Sequence, residues 1–246
     1  MPDAPTIVIA AAMDIEAAPF LERLDCRDQL TVGSRMFHVG TIDGVEVAVV
    51  VSGIGIANAA ATAAQAGMVF DQRIGAYICA GTTGGLGRDV NVRDLIVGTR
   101  FTYSGADATA FNYAPGQVPG MPVDYRAGTD LADILTRDGA AALTSVSPRS
   151  RIHAGLVLSS DAFILADSAE QMRRRFSDAL GADMESTAAA QVCSLVGIPM
   201  VSARGVSDLC GPSADQDFHI DAEDAAHISA TVVIAALPSL VAAISR

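Results

Sequence analysis

The stretch Thr6-Ile7-Val8-Ile9-Ala10-Ala11-Ala12-Met13-Asp14-Ile15-Glu16 decides how this chain folds. Thr6 to Met13 is a continuous apolar run of strand length, and the acidic, Ala-rich segment from Asp14 to Leu24 reads as a helix. A buried strand feeding straight into a helix is the opening of an α/β fold.

The same grammar continues outward. Met36 to Ile42 and Val45 to Val51 are β-rich and separated by Asp43-Gly44, a hairpin signal. Ser52-Gly53-Ile54-Gly55 turns into an Ala-rich helix, Ala57 to Val69. A buried strand from Ile74 to Ala80, a glycine loop Gly81-Thr82-Thr83-Gly84-Gly85 and a strand from Asp94 to Phe101 follow. Ala106 to Tyr125 is punctuated by prolines and glycines near Phe111 and Tyr113 and reads as a long ordered loop, the kind that is often functional. Then come a helix around Leu131 to Leu143, a strand from Ile152 to Ser159, a helix from Glu185 to Val196 and a strand from Ile198 to Val206 that ends at Ser207-Asp208. The apolar stripe of the Glu185 helix is expected at Met184, Ala188, Val192 and Leu195. This alternation implies one α/β domain over residues 1–246, with a mainly parallel, helix-covered sheet whose antiparallel part is the hairpin.

Composition excludes several functions. The formal net charge is −12 and the only basic run, Arg173-Arg174-Arg175, reads as a solvated helix face, which argues against nucleic acid. All sixteen basic residues are arginine. Without lysine, a Walker-type phosphate loop, a Schiff base and a pyridoxal phosphate enzyme are all ruled out. Cys26, Cys79, Cys193 and Cys210 show no paired spacing and read as free thiols in a reducing cytosol. The apolar run Ile228 to Ile244 is broken by Ser229, Thr231, Pro238 and Ser239, so a buried terminal helix is expected rather than a membrane span. His38, His153, His219 and His227 lack metal-ligand spacing.

Three acids stand where α/β proteins build their sites, at or beyond strand C-termini. Glu16 follows the first strand, Glu185 lies where a polar turn opens a helix in Ala182-Asp183-Met184-Glu185-Ser186-Thr187, and Asp208 closes the strand Arg204-Gly205-Val206-Ser207-Asp208. Such a set suggests glycosidic-bond chemistry. Taken singly, Asp208 also reads as an ion pair or helix cap and Glu185 as an N-terminal helix acid. Gly81 to Gly87 lacks dinucleotide spacing and also reads as a plain turn.

Those segments, together with Thr109-Ala110-Phe111-Asn112-Tyr113, Gly116-Gln117-Val118-Pro119-Gly120 and Ser160-Asp161-Ala162-Phe163-Ile164, closely resemble the bacterial 5′-methylthioadenosine/S-adenosylhomocysteine nucleosidases, in family order from residue 5 to the C-terminal helix. The resemblance implies a nucleoside-phosphorylase fold, a central mixed sheet or distorted barrel flanked by helices, working as a homodimer without cofactor or metal. It implies hydrolysis of an adenine nucleoside, with Asp208 as general acid at adenine N7, Glu185 on the ribose hydroxyls beside Met184, and Glu16 positioning water. Thr82, Thr83 and Gly84 would border the sugar. Phe163 would stack on adenine and the Ile164 backbone read its edge, with Arg204 and Ser207 orienting Asp208. Met13, Ile54 and Phe218 would line the 5′-alkylthio pocket, closed by Phe111, Tyr113 and Pro119 of the partner subunit.

The chain departs from the family pattern where Thr82-Thr83 replaces Ser-Ala, Ile15 an acid, and Asn112 a glycine. The related purine phosphorylases resemble a pattern with arginine two residues before the glycine at 81, where this chain has Cys79, so water is favoured over phosphate. A phosphorylase, an aminodeoxyfutalosine hydrolase and a nucleoside-binding protein without turnover remain the alternatives.

Overall fold

In the computed structural model, residues 6–211 and 214–245 are described, with the side chains of Gln72 and 214–221 outside that description. Strand β1 (Thr6–Ala11) is buried at every position. It runs parallel between β4 (Val45–Val51) and β5 (Ile74–Gly85). Cover on both faces is why its sequence is an unbroken apolar run. Helix α1 (Asp14–Leu21) stops three residues before the expected end, because the chain turns there into β2 (Asp25–Val32). That strand pairs antiparallel with β3 (Arg35–Ile42), which pairs with β4, so the expected hairpin is a three-strand meander.

Beyond α2 (Ile56–Phe70) and β5 come β6 (Leu95–Tyr103), the short β7 (Tyr125–Arg126), α3 (Leu131–Val146), β8 (Ile152–Ser159) and α4 (Ala166–Arg175). The chain then forms β9 (Ala179–Asp183), α5 (Ser186–Val196), β10 (Met200–Asp208) and α6 (Ala214–Ile244). The sheet order is β10-β6-β8-β9-β5-β1-β4-β3-β2, and β10 also pairs with β5. The path β10-β6-β8-β9-β5 therefore closes into a five-strand barrel, with the remaining strands extending one wall. Antiparallel pairing is wider than expected from the hairpin alone, for β6 runs against β10 and β9 against β5. The connection 86–94 holds no helix and is shorter than the dozen-residue crossover that a parallel return needs.

Along β5, Ala76, Ile78 and Ala80 face one apolar cluster with α1, α3 and α6, whereas Tyr77 and Cys79 face a second cluster with α2 and α5. Helix α6 is long and apolar enough to cross a membrane, yet Ile228, Val232, Val233, Leu237 and Leu240 sit in the first cluster, as a core helix requires. The stripe expected on α5 is partly wrong. Its buried face is Ala188, Ala189, Ala190 and Cys193, small side chains that allow close packing on α2, while Leu195 is 65% exposed. The loop after β6 carries one 3-10 turn, Thr109–Phe111, ended by Asn112 in the left-handed region at φ 64°. Asparagine tolerates that conformation, which explains its standing in for glycine.

Candidate active site

Glu16 sits in the first turn of α1 and is 1% exposed. Its Oε2 accepts the N–H groups of Ala12 at 2.9 Å and Met13 at 3.1 Å, the way an acid at this position closes a helix start. Its Oε1 accepts the Thr82 N–H at 2.7 Å and hydroxyl at 2.8 Å. Thr82 belongs to β5, which continues through the expected glycine loop because β10 and β9 pair with it there. Gly81 makes the approach possible: its φ is +130°, and a Cβ on it would lie 2.5 Å from the Glu16 carboxyl carbon. No other residue satisfies both conditions.

Glu185 stands at the N-cap position of α5 and is buried. Its Oε1 accepts the Gly55 N–H at 2.9 Å, and Oε2 lies 3.2 Å from Arg204 Nη2. Burial pushes its carboxyl from 4.5 up to about 7; the Arg204 guanidinium opposes this and Asp183 adds to it. Asp183, which sequence reasoning did not single out, closes β9 two residues earlier. Its Oδ1 accepts the Ser159 hydroxyl at 2.5 Å and the N–H groups of Glu185 and Ser186 at 3.2 and 3.1 Å. An acid ending the short, mostly apolar strand Ala179–Asp183 is the signal that could have found it.

Arg204 corrects one expectation. Rather than orienting Asp208, it is committed to other partners: Nε lies 2.9 Å from Asp183 Oδ2 while aiming its hydrogen at Ser186 Oγ, 3.1 Å away, and Nη1 donates to the Thr82 carbonyl. Four residues along a strand span about 13 Å, beyond the reach that the pairing assumed. Asp208 is held instead by its neighbours, accepting the Ser207 hydroxyl at 3.0 Å and the Cys210 N–H at 2.8 Å. Arg173 of the basic run also departs from a solvated face, donating to the carbonyls of Gly85, Leu86 and Leu209.

These groups surround a cleft of about 180 Å³. Met13, Ile54, Thr82, Thr83, Gly84 and Met184 line it along with the three acids, Arg204 and Ser207, and Phe163 flanks its mouth. Ile164 and Cys210 border an adjoining lobe that shares Phe163 and Asp208. Within one chain Phe111, Tyr113 and Pro119 do not reach the cleft, and the side chain of Phe218 lies outside the description. Among the described residues no group of three His, Cys, Asp or Glu side chains is arranged to hold a metal. The arrangement offers an apolar slot with four buried acids, Glu16, Asp183, Glu185 and Asp208, and Arg204 along it.

Residues 6–242 match the model of the phosphorylase superfamily. A 5′-methylthioadenosine/S-adenosylhomocysteine nucleosidase of Halalkalibacterium halodurans is 38% identical over 93% of this chain and 96% of its own. Another, from Staphylococcus carnosus, is 33% identical over 95% of this chain and the whole of its own. Among solved structures, the nucleosidase of Neisseria meningitidis in complex with methylthio-immucillin-A superposes with a TM-score of 0.88 at 29% identity, covering 95% of this chain and 99% of that one. The Colwellia psychrerythraea enzyme in complex with adenine gives 0.87 at 28% identity, covering 97% and 96%. The chain thus belongs to the phosphorylase superfamily and, within it, to the 5′-methylthioadenosine/S-adenosylhomocysteine nucleosidases.

Proposed function

We propose that this protein, as a single catalytic domain, hydrolyses the N-glycosidic bond of 5′-methylthioadenosine and S-adenosylhomocysteine, releasing adenine and the 5-thio-substituted ribose. The observation that carries water over phosphate is the charge of the cleft: Glu16, Asp183, Glu185 and Asp208 face a single guanidinium, Arg204, which is already bound to two of them. A phosphate dianion would meet net negative charge in a site of low dielectric. Cys79, where phosphorylases resemble a pattern with arginine, is a buried thiol raised to about 12 mainly by burial and supplies no cation. Incubation with methylthioadenosine, with and without phosphate, is expected to give free adenine and free methylthioribose at equal rates. Ribose 1-phosphate products would mean a phosphorylase, and absence of adenine a binding protein.

In this reading adenine leaves as a neutral base because Asp208 protonates N7 while the C–N bond stretches, and the ribose develops oxocarbenium character. Glu185 accepts from the ribose hydroxyls, with Met184 against the sugar and Phe163 against adenine. Glu16 directs water at the opposite face. Its four acceptor positions are filled by protein donors, three of them backbone N–H groups; the Thr82 hydroxyl is the donor that can rotate away to admit a water.

Glu185 must be ionised to accept those hydroxyl protons, so kcat/KM is expected to fall as pH drops through about 7. Stability should run the other way. A carboxyl whose folded value is raised binds its proton more tightly in the native state, so its contribution is full below 4.5 and is lost as pH rises through about 7. Glu185→Gln should therefore raise Tm more at pH 8 than at pH 5, read by calorimetry; an equal shift at both would refute the assignment.

The active form in this reading is a cytoplasmic homodimer. Phe111 is 76% exposed on the loop after β6, and Met68 of α2 with Leu195 and Val196 of α5 leaves an apolar patch uncovered on the neighbouring helix pair. Four free thiols, with Cys26 exposed and the other three buried, fit a reducing compartment. Light scattering at assay concentration should give twice the chain mass, and a fully active monomer would overturn the dimer.

A further inference from the structure

Two consecutive N–H groups at the start of α2 hold two different carboxylates. Gly55 N donates to Glu185 Oε1 at 2.9 Å, inside the cleft, and Ile56 N donates to Asp161 Oδ1 at 2.7 Å, at its mouth. Asp161 comes from a segment 105 residues away in the chain, two residues before Phe163. The approach is close enough that a Cβ on Gly55, whose φ is +104°, would stand 2.8 Å from Asp161 Oδ1. Ile56 is the first residue of the helix, so its N–H has no partner within the helix, and the positive end of the helix dipole adds to the bond.

The two walls joined this way do different work. The segment 160–165 carries Phe163 and Ile164, the adenine side, and starts where Ser160 N donates to the Asp183 carbonyl at 3.2 Å. The turn at Ile54 and Gly55 belongs to the sugar and 5′ side and holds Glu185. The tether from Asp161 holds the segment with Phe163 and Ile164 in place, so the affinity for adenine itself, and for nucleosides that carry it, depends on this bond. We infer that Asp161 is a positioning residue: by accepting the Ile56 N–H it fixes the adenine-side loop against the sugar-side turn and so sets the affinity for adenine nucleosides. Asp161 touches no reacting atom. It acts through the backbone it shares with Phe163 and through the helix end that it shares with Glu185.

The inference rests on the proposed nucleosidase reading, and the test separates the two. Asp161→Ala removes the acceptor. Ile56→Pro removes the donor from the opposite partner, at the helix position that proline tolerates best. Adenine affinity by titration calorimetry and kcat and KM for methylthioadenosine are measured for the unaltered protein, both single variants and the double variant. Each single variant is expected to weaken adenine binding about tenfold, the effect of losing a hydrogen bond to a charged group. KM should rise in step while kcat stays within about threefold, the pattern of lost uniform binding. The double variant should be no weaker than either single one, because both delete one bond. Asp161→Asn, which keeps an Oδ1 acceptor, should recover most of the affinity. Unchanged adenine affinity in Asp161→Ala, additive losses in the double variant, or a fall in Tm alone would overturn the inference. If the unaltered protein binds adenine but releases none from methylthioadenosine, the nucleosidase reading fails, and the adenine titrations still decide the role of Asp161.

Discussion

Asp208→Asn is expected to lower kcat by about 10²- to 10⁴-fold, the usual contribution of a positioned acid, while substrate affinity and Tm hold. The Ser207 and Cys210 partners of Asp208 tolerate the amide. Oδ1 can still accept the Cys210 N–H, and the new Nδ2 meets the Ser207 hydroxyl, which can turn from donor to acceptor. What is lost is the proton for N7. Single-turnover measurement against substrate affinity makes the check, and near-normal turnover in the variant would remove Asp208 from the mechanism.

Glu16→Gln should cost a similar factor in kcat and, unlike the Asp208 change, should also destabilise the protein. The carboxylate accepts two backbone N–H groups on one oxygen and a backbone N–H with a hydroxyl on the other. Whichever way the glutamine amide is turned, its NH₂ faces at least one buried backbone donor. Leaving such a donor unpaired costs about 1–3 kcal/mol, or several degrees of Tm for a chain of this size. A calorimetric scan together with kcat separates the pair: Asp208→Asn silent in Tm and Glu16→Gln not. If the two variants melt alike, the four-donor cradle is not what holds Glu16.

The three acids were legible because each sits at an element boundary beside an apolar run, which is where a polar residue stands out. The partners of Arg204 were not. Adjacency in the sequence pointed to Asp208, whereas the side chain reaches across the barrel to Asp183 and Glu185 on a different chain segment, and only the closed arrangement of strands brings them together. Strand β2 escaped notice for a related reason. Asp25-Cys26-Arg27-Asp28-Gln29 is exposed on both faces, so it has neither the alternation nor the apolar content by which a strand shows itself. The glycines from Gly81 to Gly85 read as a loop because strands disfavour glycine; here Gly81 admits Glu16, and Gly84 admits Cys210, whose Sγ would stand 2.5 Å from a Cβ there.

Pairing of β10 with β5 also fixes when this enzyme becomes active during its own synthesis. The cradle for Glu16 is complete once β5 has emerged from the ribosome, but Asp208 and the last edge of the ring arrive more than a hundred residues later. Until then β5 presents an unpaired edge, a template for wrong partners, and contacts so distant in sequence form slowly. A nascent chain stalled before residue 200 therefore carries Glu16 and Glu185 without Asp208, and on the proposed mechanism hydrolytic activity cannot begin before the final strand inserts.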